Sequence, residues 1–356
     1  MYYKRKIFAI HSWLGLIAGI FILAISLSGS FVALMHQYEE TFDHEKLFVK
    51  PAGKYLPYDT LFSIAKKKIS NFGLYDFAFF PKNPNETLEI LYFPDGTYHS
   101  VFMNPYTGEI TGKMDNNLSK NLLKFHWSLF LGPQGYIGSI VVFALSICLL
   151  LNIVTGFIIY RKHIIDALLF KAKINWKSIR LASSGLHRII GVWSMVFMFI
   201  IFASGAYINY HIINGDFAYP GGEKLKHRPK EPLQVSVDQC IRLAKEKIPG
   251  FEPSSFSFPQ LEGGELYVSG YIKGQNRFYL GNSWVTFNSK TGKVLEVKTG
   301  IHNTLSSKLD IIISHLHFGN YGGVWLKIFY SFFSVLSGLM PITGFILWFR
   351  KRKPLF

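Results

Sequence analysis

The sequence predicts a polytopic α-helical membrane protein: a four-span bundle with two extracytoplasmic α+β lobes, built as span–lobe–span twice in tandem. Three observations predict it. Four long stretches carry no charged residue, the basic residues crowd into the short segments that join them, and the second half of the chain repeats landmarks of the first in order. Composition agrees, since 49% of the 356 residues are hydrophobic and only 17% charged, against about 25% charged in soluble domains. The 33 Phe, 19 Tyr and 7 Trp exclude a disordered chain, and two cysteines exclude a disulfide scaffold.

The uncharged stretches are Ile7–Leu34, Ile137–Tyr160, Ile189–Tyr210 and Ile328–Phe349. Each exceeds the roughly 18–20 residues that cross about 30 Å of hydrocarbon as a helix. Lys4-Arg5-Lys6 before the first stretch resembles a signal peptide, but a signal's apolar region is about 7–15 residues. The first stretch is therefore expected to be an uncleaved anchor. The resulting order is span 1 over 1–36, a lobe over 37–125, span 2 over 126–162 and a basic loop over 163–186. Span 3 over 187–211, a second lobe over 212–314, span 4 over 315–349 and a tail over 350–356 complete it.

Orientation follows from the positive charges, which stay on the cytoplasmic side. The N-terminus, the loop after Tyr160 and the C-terminus together hold thirteen basic residues and one acidic residue, Asp166. The long segments 36–125 and 212–320 are nearly balanced, with 10 basic against 11 acidic and 13 against 10. Both termini are expected in the cytoplasm and both lobes outside. The net charge of +16, which by itself suggests nucleic acid, is thus a topology signal; the partner is the lipid bilayer, and no nucleic acid is expected.

The repeat reads through the whole chain. His11-Ser12-Trp13-Leu14-Gly15 recurs as His187-Arg188-Ile189-Ile190-Gly191, Ser28-Gly29 as Ser204-Gly205 and His36 as His211. His126 is matched by His317, and Thr155-Gly156-Phe157-Ile158 by Thr343-Gly344-Phe345-Ile346. Both halves start on the same side, as parallel repeats do. Within the lobes, Thr60–Ile69 and Val237–Ile248 have helical spacing. Thr87–Phe93, Tyr98–Met103, Leu266–Tyr271 and Trp284–Asn288 read as strands, with turn signals at Pro94-Asp95-Gly96 and Thr107-Gly108. Neither lobe shows a hydrolytic triad, a phosphate-binding glycine loop or a CxxC pair.

The twelve histidines carry the most informative chemistry. An imidazole in a membrane helix faces the bundle interior and finds a partner. Three are matched between halves at membrane depth or its edge: His11 with His187, His126 with His317, and His36 with His211. Facing histidines related by a two-fold repeat suit a planar macrocycle held between helices, one ring on each side of its iron. Two such ligands leave haem iron no open position, which suits electron transfer. The expected sites are an inner one at His11 and His187 and an outer one at His126 and His317, with His36 and His211, or His315, as alternative outer ligands. Gly15, Gly191, Gly319, Gly322 and Gly323 would admit a flat ring. Arg188 would meet haem propionates or phospholipid headgroups. His44, His99, His163, His227 and His302 read as solvated. A zinc or copper site would want more ligands close together.

These residues resemble a family. The His-x3-Gly helix opening, the Asn104-Pro105-Tyr106-Thr107-Gly108-Glu109 lobe ending and Phe125-His126-Trp127-Ser128-Leu129 are similar to PepSY-associated transmembrane proteins. So is the closing run from Leu316-His317-Phe318-Gly319-Asn320-Tyr321 to Thr343-Gly344-Phe345-Ile346-Leu347-Trp348. The resemblance covers nearly the whole chain. It implies PepSY-like lobes in the periplasm and a multi-pass protein of the bacterial inner membrane. It also implies two haems b and, as in some four-helix members, a ferric-siderophore reductase serving iron acquisition. The 356 residues leave no room for the fused flavin and nicotinamide domains of some relatives, so electrons are expected from quinol or a separate reductase. Two other readings stand beside it: a haem-free PepSY binding or regulatory protein, and a metal or siderophore transporter component, hinted at by Gly338 and Pro341.

Overall fold

The structure, a computed structural model, describes residues 2–69, 75–92, 99–115, 118–132, 135–214, 233–259, 264–276, 281–300 and 304–351. Pro94-Asp95-Gly96, Tyr98, His227, His302, Arg352 and Lys353 lie outside the described residues. In chain order the elements are α1 (Tyr2–Phe42), α2 (His44–Leu47), α3 (Tyr58–Lys68), β1 (Tyr75–Phe79), β2 (Leu88–Tyr92), β3 (His99–Met103) and β4 (Ile110–Asp115). Then come α4 (Leu118–Ser128), α5 (Tyr136–Tyr160), α6 (Ile164–Leu168), α7 (Ile179–Ile213) and α8 (Val237–Lys247). They are followed by β5 (Phe251–Ser257), β6 (Glu265–Ile272), β7 (Ser283–Asn288), β8 (Val294–Lys298), α9 (Leu305–His317) and α10 (Gly323–Lys351). The chain divides into two compact units, one of Met1–His36, Ser119–Tyr219 and Ile313–Phe356, the other of Gln37–Leu118 and Pro220–Ile312.

In the first unit, four helical stretches are long and apolar enough to cross a membrane: Tyr2–Phe42, Tyr136–Leu168, Ile179–Ile213 and Gly323–Phe349. Their faces are sorted by size. Along α1 the buried residues include Ala18, Gly19, Ser26, Ser28 and Ser30, while Ile17, Ile20, Leu27 and Phe31 are exposed. α7 repeats the pattern, burying Ala182, Ser183, Gly185, Ser194 and Ser204 and exposing Val196 and Phe199. Small and hydroxylated residues between helices, with large apolar ones outward, is the arrangement expected where lipid replaces water. Ile22, Leu145, Leu149, Phe197, Met198, Phe202 and Tyr330 fill the centre.

Two turns place the ends of the short helices. After α4 the backbone reverses through Leu129 and Phe130, both in the left-handed region at φ 50° and 57°, a conformation uncommon outside glycine. It is held because α4 lies directly on α5: a Cβ on Gly138 would fall 1.7 Å from the Ser128 carbonyl oxygen, so only glycine fits. After α9, Gly319 turns at φ 64° against the ring of Tyr330, whose hydroxyl donates to the Leu316 carbonyl at 2.8 Å.

The second unit differs from the expectation of two separate lobes. Each half contributes four strands to one eight-stranded antiparallel sheet, ordered β4-β3-β2-β1-β5-β6-β7-β8. The halves join where β1 pairs with β5, Ala78 opposite Phe256. Each would otherwise be an open edge with unpaired backbone groups, and pairing them merges two cores into one. That core runs from Leu88, Ile90, Val101 and Met103 through Ala78 and Phe256 to Val268, Val285 and Phe287. It is covered by Leu61, Phe62 and Ala65 of α3 and by Val237, Cys240, Ile241 and Ala244 of α8.

α3 and α8 also cap one another. Asp238 accepts from the backbone N–H groups of Tyr58 and Asp59 at 3.0 and 2.9 Å. Asp59 in return accepts from Val237 N–H at 2.7 Å and from the Ser236 hydroxyl. Each carboxylate therefore neutralises the positive end of the other helix. Burial, and then the Asp59 charge, push the Cys240 thiol up to about 12.

Candidate functional site

Two histidine pairs face one another in the helical unit. His11 on α1 and His187 on α7 have ring centroids 6.2 Å apart with planes at 88°. His126 at the end of α4 and His317 at the end of α9 are 6.3 Å apart at 45°. In neither pair do the rings bond each other; each Nδ1 is instead tied to a different helix.

His11 Nδ1 donates to the Asn152 carbonyl at 3.1 Å and lies 3.1 Å from Thr155 Oγ1. His126 Nδ1 donates to the Ile25 carbonyl at 3.0 Å and lies 3.2 Å from Ser28 Oγ. A carbonyl only accepts, so both rings carry their proton on Nδ1 and keep the Nε2 lone pair. His187 Nδ1 meets Thr343 Oγ1 at 2.8 Å, and His317 Nδ1 meets Ser204 Oγ at 2.9 Å. Those hydroxyl protons are engaged within their own helices, Thr343 to the Met340 carbonyl at 2.9 Å and Ser204 to the Ile200 carbonyl at 2.6 Å. Each hydroxyl oxygen is then the acceptor, and the same tautomer follows. An imidazole whose Nδ1–H is held by a carbonyl or hydroxyl, with Nε2 free, is the usual state of a metal-ligating histidine.

A glycine backs every one of these rings. A Cβ on Gly156, Gly344, Gly29 or Gly205 would lie 3.1, 3.5, 2.7 or 3.2 Å from Cε1 of His11, His187, His126 or His317 respectively. The ring spacing also has a simple meaning. With a metal–nitrogen bond of about 2.0–2.1 Å and about 1.1 Å from ring centre to nitrogen, one ion between two imidazoles sets the centroids about 6.3 Å apart. Both observed spacings fit. Among the described residues no cluster of three or more His, Cys, Asp or Glu exists. Two imidazoles alone at each place could serve a metal only if its other ligands came from a macrocycle.

The other candidates are placed differently. His36 lies on the exposed side of α1, and His211 packs on Tyr207 and Tyr210 at 4.5 and 5.5 Å. His315 Nδ1 accepts from the Asn320 amide at 3.0 Å, which puts its proton on Nε2 and disfavours it as a ligand through that atom. Arg188 is exposed, its Nε donating to Ser184 at 3.0 Å and its guanidinium 5.9 Å from the Tyr160 ring centre. His44 and His163 are exposed, and His99 packs on Tyr92. The glycines expected beside the ligands serve other contacts: Gly15 faces Asn152, Gly191 faces Met340, and Gly319 faces Tyr330.

The family described as PepSY-associated TM region matches residues 8–351, almost the entire chain. The chain belongs to that family. No curated protein matches it significantly. In this PepSY-associated TM protein the matched region takes in all four facing histidines and the helices that hold them. Sequence reasoning found the histidines but passed over Ser28-Gly29, Thr155-Gly156, Ser204-Gly205 and Thr343-Gly344 as the surfaces they rest on. The available signal was that these dipeptides recur in both halves alongside the histidines.

Proposed function

We propose that this chain is a di-haem b oxidoreductase of the bacterial inner membrane, passing electrons from quinol or a separate reductase to a periplasmic ferric chelate. The ferric-siderophore class of chelate fits best, each Fe(III) taking one electron to become Fe(II) and losing its hold on the chelator. The observation that carries the reading is the pair of facing histidine pairs, 6.2 and 6.3 Å between rings, with every Nδ1 engaged elsewhere. His11 and His187 would hold the inner haem, and His126 and His317 the outer one. When bound, the haems would supply a one-electron relay, with His11, His187, His126 and His317 holding them. The chain's own residues fix ring tautomer and plane through the carbonyls and hydroxyls on Nδ1. Arg188, next to a ligand and exposed, is available to a propionate or a lipid phosphate.

The reading includes a topology and an origin. Both termini lie in the cytoplasm, because the three short basic segments are retained there, and the sheet-bearing unit lies in the periplasm. The two halves derive from one span–lobe–span ancestor. Support comes from Ser28/Ser204, Thr155/Thr343 and Asp59/Asp238, matched in sequence and doing matched work in the structure.

The test is a pyridine haemochrome count and a reduced-minus-oxidised spectrum of the purified full-length protein. Two haems b per chain are expected. His11→Ala and His187→Ala should each remove one, and His126→Ala and His317→Ala the other. A protein with no reducible Soret band would sink the reading. If His126→Ala and His317→Ala kept both haems while His36→Ala lost one, the outer assignment would be wrong.

A further inference from the structure

The same three-residue surface meets all four imidazoles. In each case a hydroxyl residue, the backbone of the residue three positions before it and the glycine just after it lie against one ring. The sets are Ile25, Ser28 and Gly29 for His126, and Asn152, Thr155 and Gly156 for His11. They are Ile201, Ser204 and Gly205 for His317, and Met340, Thr343 and Gly344 for His187. In each the hydroxyl donates to a carbonyl three or four residues back in its own helix: Ser28 to Ile25 at 3.0 Å, Thr155 to Asn152 at 2.9 Å, and Ser204 and Thr343 as above. Ser146, Ser194 and Ser337 make the same bond, which is the ordinary way a hydroxyl is satisfied in an apolar helix; the four matched residues differ in that a histidine ring meets the hydroxyl oxygen. The back-bond commits the hydroxyl proton, so that the oxygen can only accept.

We propose that Ser28, Thr155, Ser204 and Thr343 are positioning residues that set the reduction potentials of the two irons independently. The threonines act on the His11/His187 site and the serines on the His126/His317 site. This rests on the di-haem reading. An acceptor on Nδ1–H draws that proton away from the ring and makes Nε2 a stronger donor. A stronger imidazole donor would stabilise Fe(III) over Fe(II), because hydrogen bonding to the ligating ring is one of the protein's levers on haem potential. Removing the acceptor therefore raises the potential. Each hydroxyl touches one ring only, so each substitution should move one haem and leave the other.

The experiment is a spectroelectrochemical titration of the full-length protein in detergent. Thr343→Val and Ser204→Ala are the sharpest variants because their hydroxyls make the shortest bonds, 2.8 and 2.9 Å. Thr343→Val should raise the midpoint of the His11/His187 haem by the equivalent of roughly tenfold in its reduction equilibrium, about 59 mV for one electron. Ser204→Ala should do the same to the other haem alone, and Thr343→Ser should restore the original value. Thr155→Val and Ser28→Ala should shift in the same direction by less, since their hydroxyls lie farther from the rings, at 3.1 and 3.2 Å. These two also supply the measurement if either sharper variant loses haem. Two bound haems with unmoved potentials, or with both potentials moving together in each variant, overturn the proposal. An unmodified protein without haem overturns the di-haem reading and this proposal with it.

Discussion

At the residue scale, the four ring–glycine contacts are graded, and the gradation makes a prediction. A methyl group on Gly29 would lie 2.7 Å from Cε1 and 3.2 Å from Nδ1 of His126, a ring pinned by the Ile25 carbonyl. On Gly344 it would lie 3.5 Å from His187 Cε1, which is ordinary van der Waals contact. Overpacking of the first kind costs about 1–3 kcal/mol and displaces the imidazole. On the proposed di-haem reading, Gly29→Ala is therefore expected to lower haem occupancy at the His126/His317 site several-fold, while Gly344→Ala keeps both haems. A haemochrome count on the two variants checks this, and equal counts would contradict it. The same contacts explain what the sequence could not reveal. The histidines stand out because polar rings in apolar stretches are rare and these recur in both halves. Their supports come from partners 98 to 156 positions away, and one sequence holds no record of which helices touch. Gly15 and Gly191, four residues beyond His11 and His187, follow them along the same helices and so cannot lie across from their rings.

At the element scale, the crossed caps of α3 and α8 predict crossed damage. Asp59 belongs to α3 but holds the first turn of α8, and Asp238 does the reverse. Replacing a capping carboxylate by alanine costs about 1–2 kcal/mol. Asp59→Ala is expected to speed amide hydrogen exchange at Val237, and Asp238→Ala at Tyr58 and Asp59. Faster exchange confined to the helix that carries the substitution would refute the reciprocal arrangement. Both helices were legible from apolar spacing, as were the inner-sheet strands Leu88–Tyr92, His99–Met103, Glu265–Ile272 and Ser283–Asn288. β4 and β8 were not, because they are the sheet's edges, where Lys113 and Glu296 interrupt the apolar runs; charged residues are the ordinary protection of an exposed edge. β5 was obscured by Pro253, which sits at a register shift, a place where proline is tolerated in a sheet.

At the scale of the whole molecule, the joined sheet constrains topology more tightly than charge does. β1 belongs to the first half and β5 to the second, and they pair directly. Gln37–Leu118 and Pro220–Ile312 must therefore occupy the same side of any membrane the chain crosses. An even number of crossings has to separate them, and the two membrane-length stretches between them, Tyr136–Leu168 and Ile179–Ile213, satisfy this. On the proposed topology the basic loop between those two stretches faces the cytoplasm, as the positive-inside rule expects. Labelling of single cysteines introduced at exposed lysines tests both statements in cells with a permeabilised outer membrane. Lys67→Cys and Lys247→Cys, one in each half, should react alike with a membrane-impermeant maleimide. Lys173→Cys should react only after the inner membrane is opened. Native Cys240 should stay silent throughout, being buried with its thiol held neutral up to about 12. Unequal labelling at Lys67→Cys and Lys247→Cys would contradict the shared sheet. Labelling of Lys173→Cys in closed cells would instead reverse the orientation, and with it the direction in which electrons are proposed to travel.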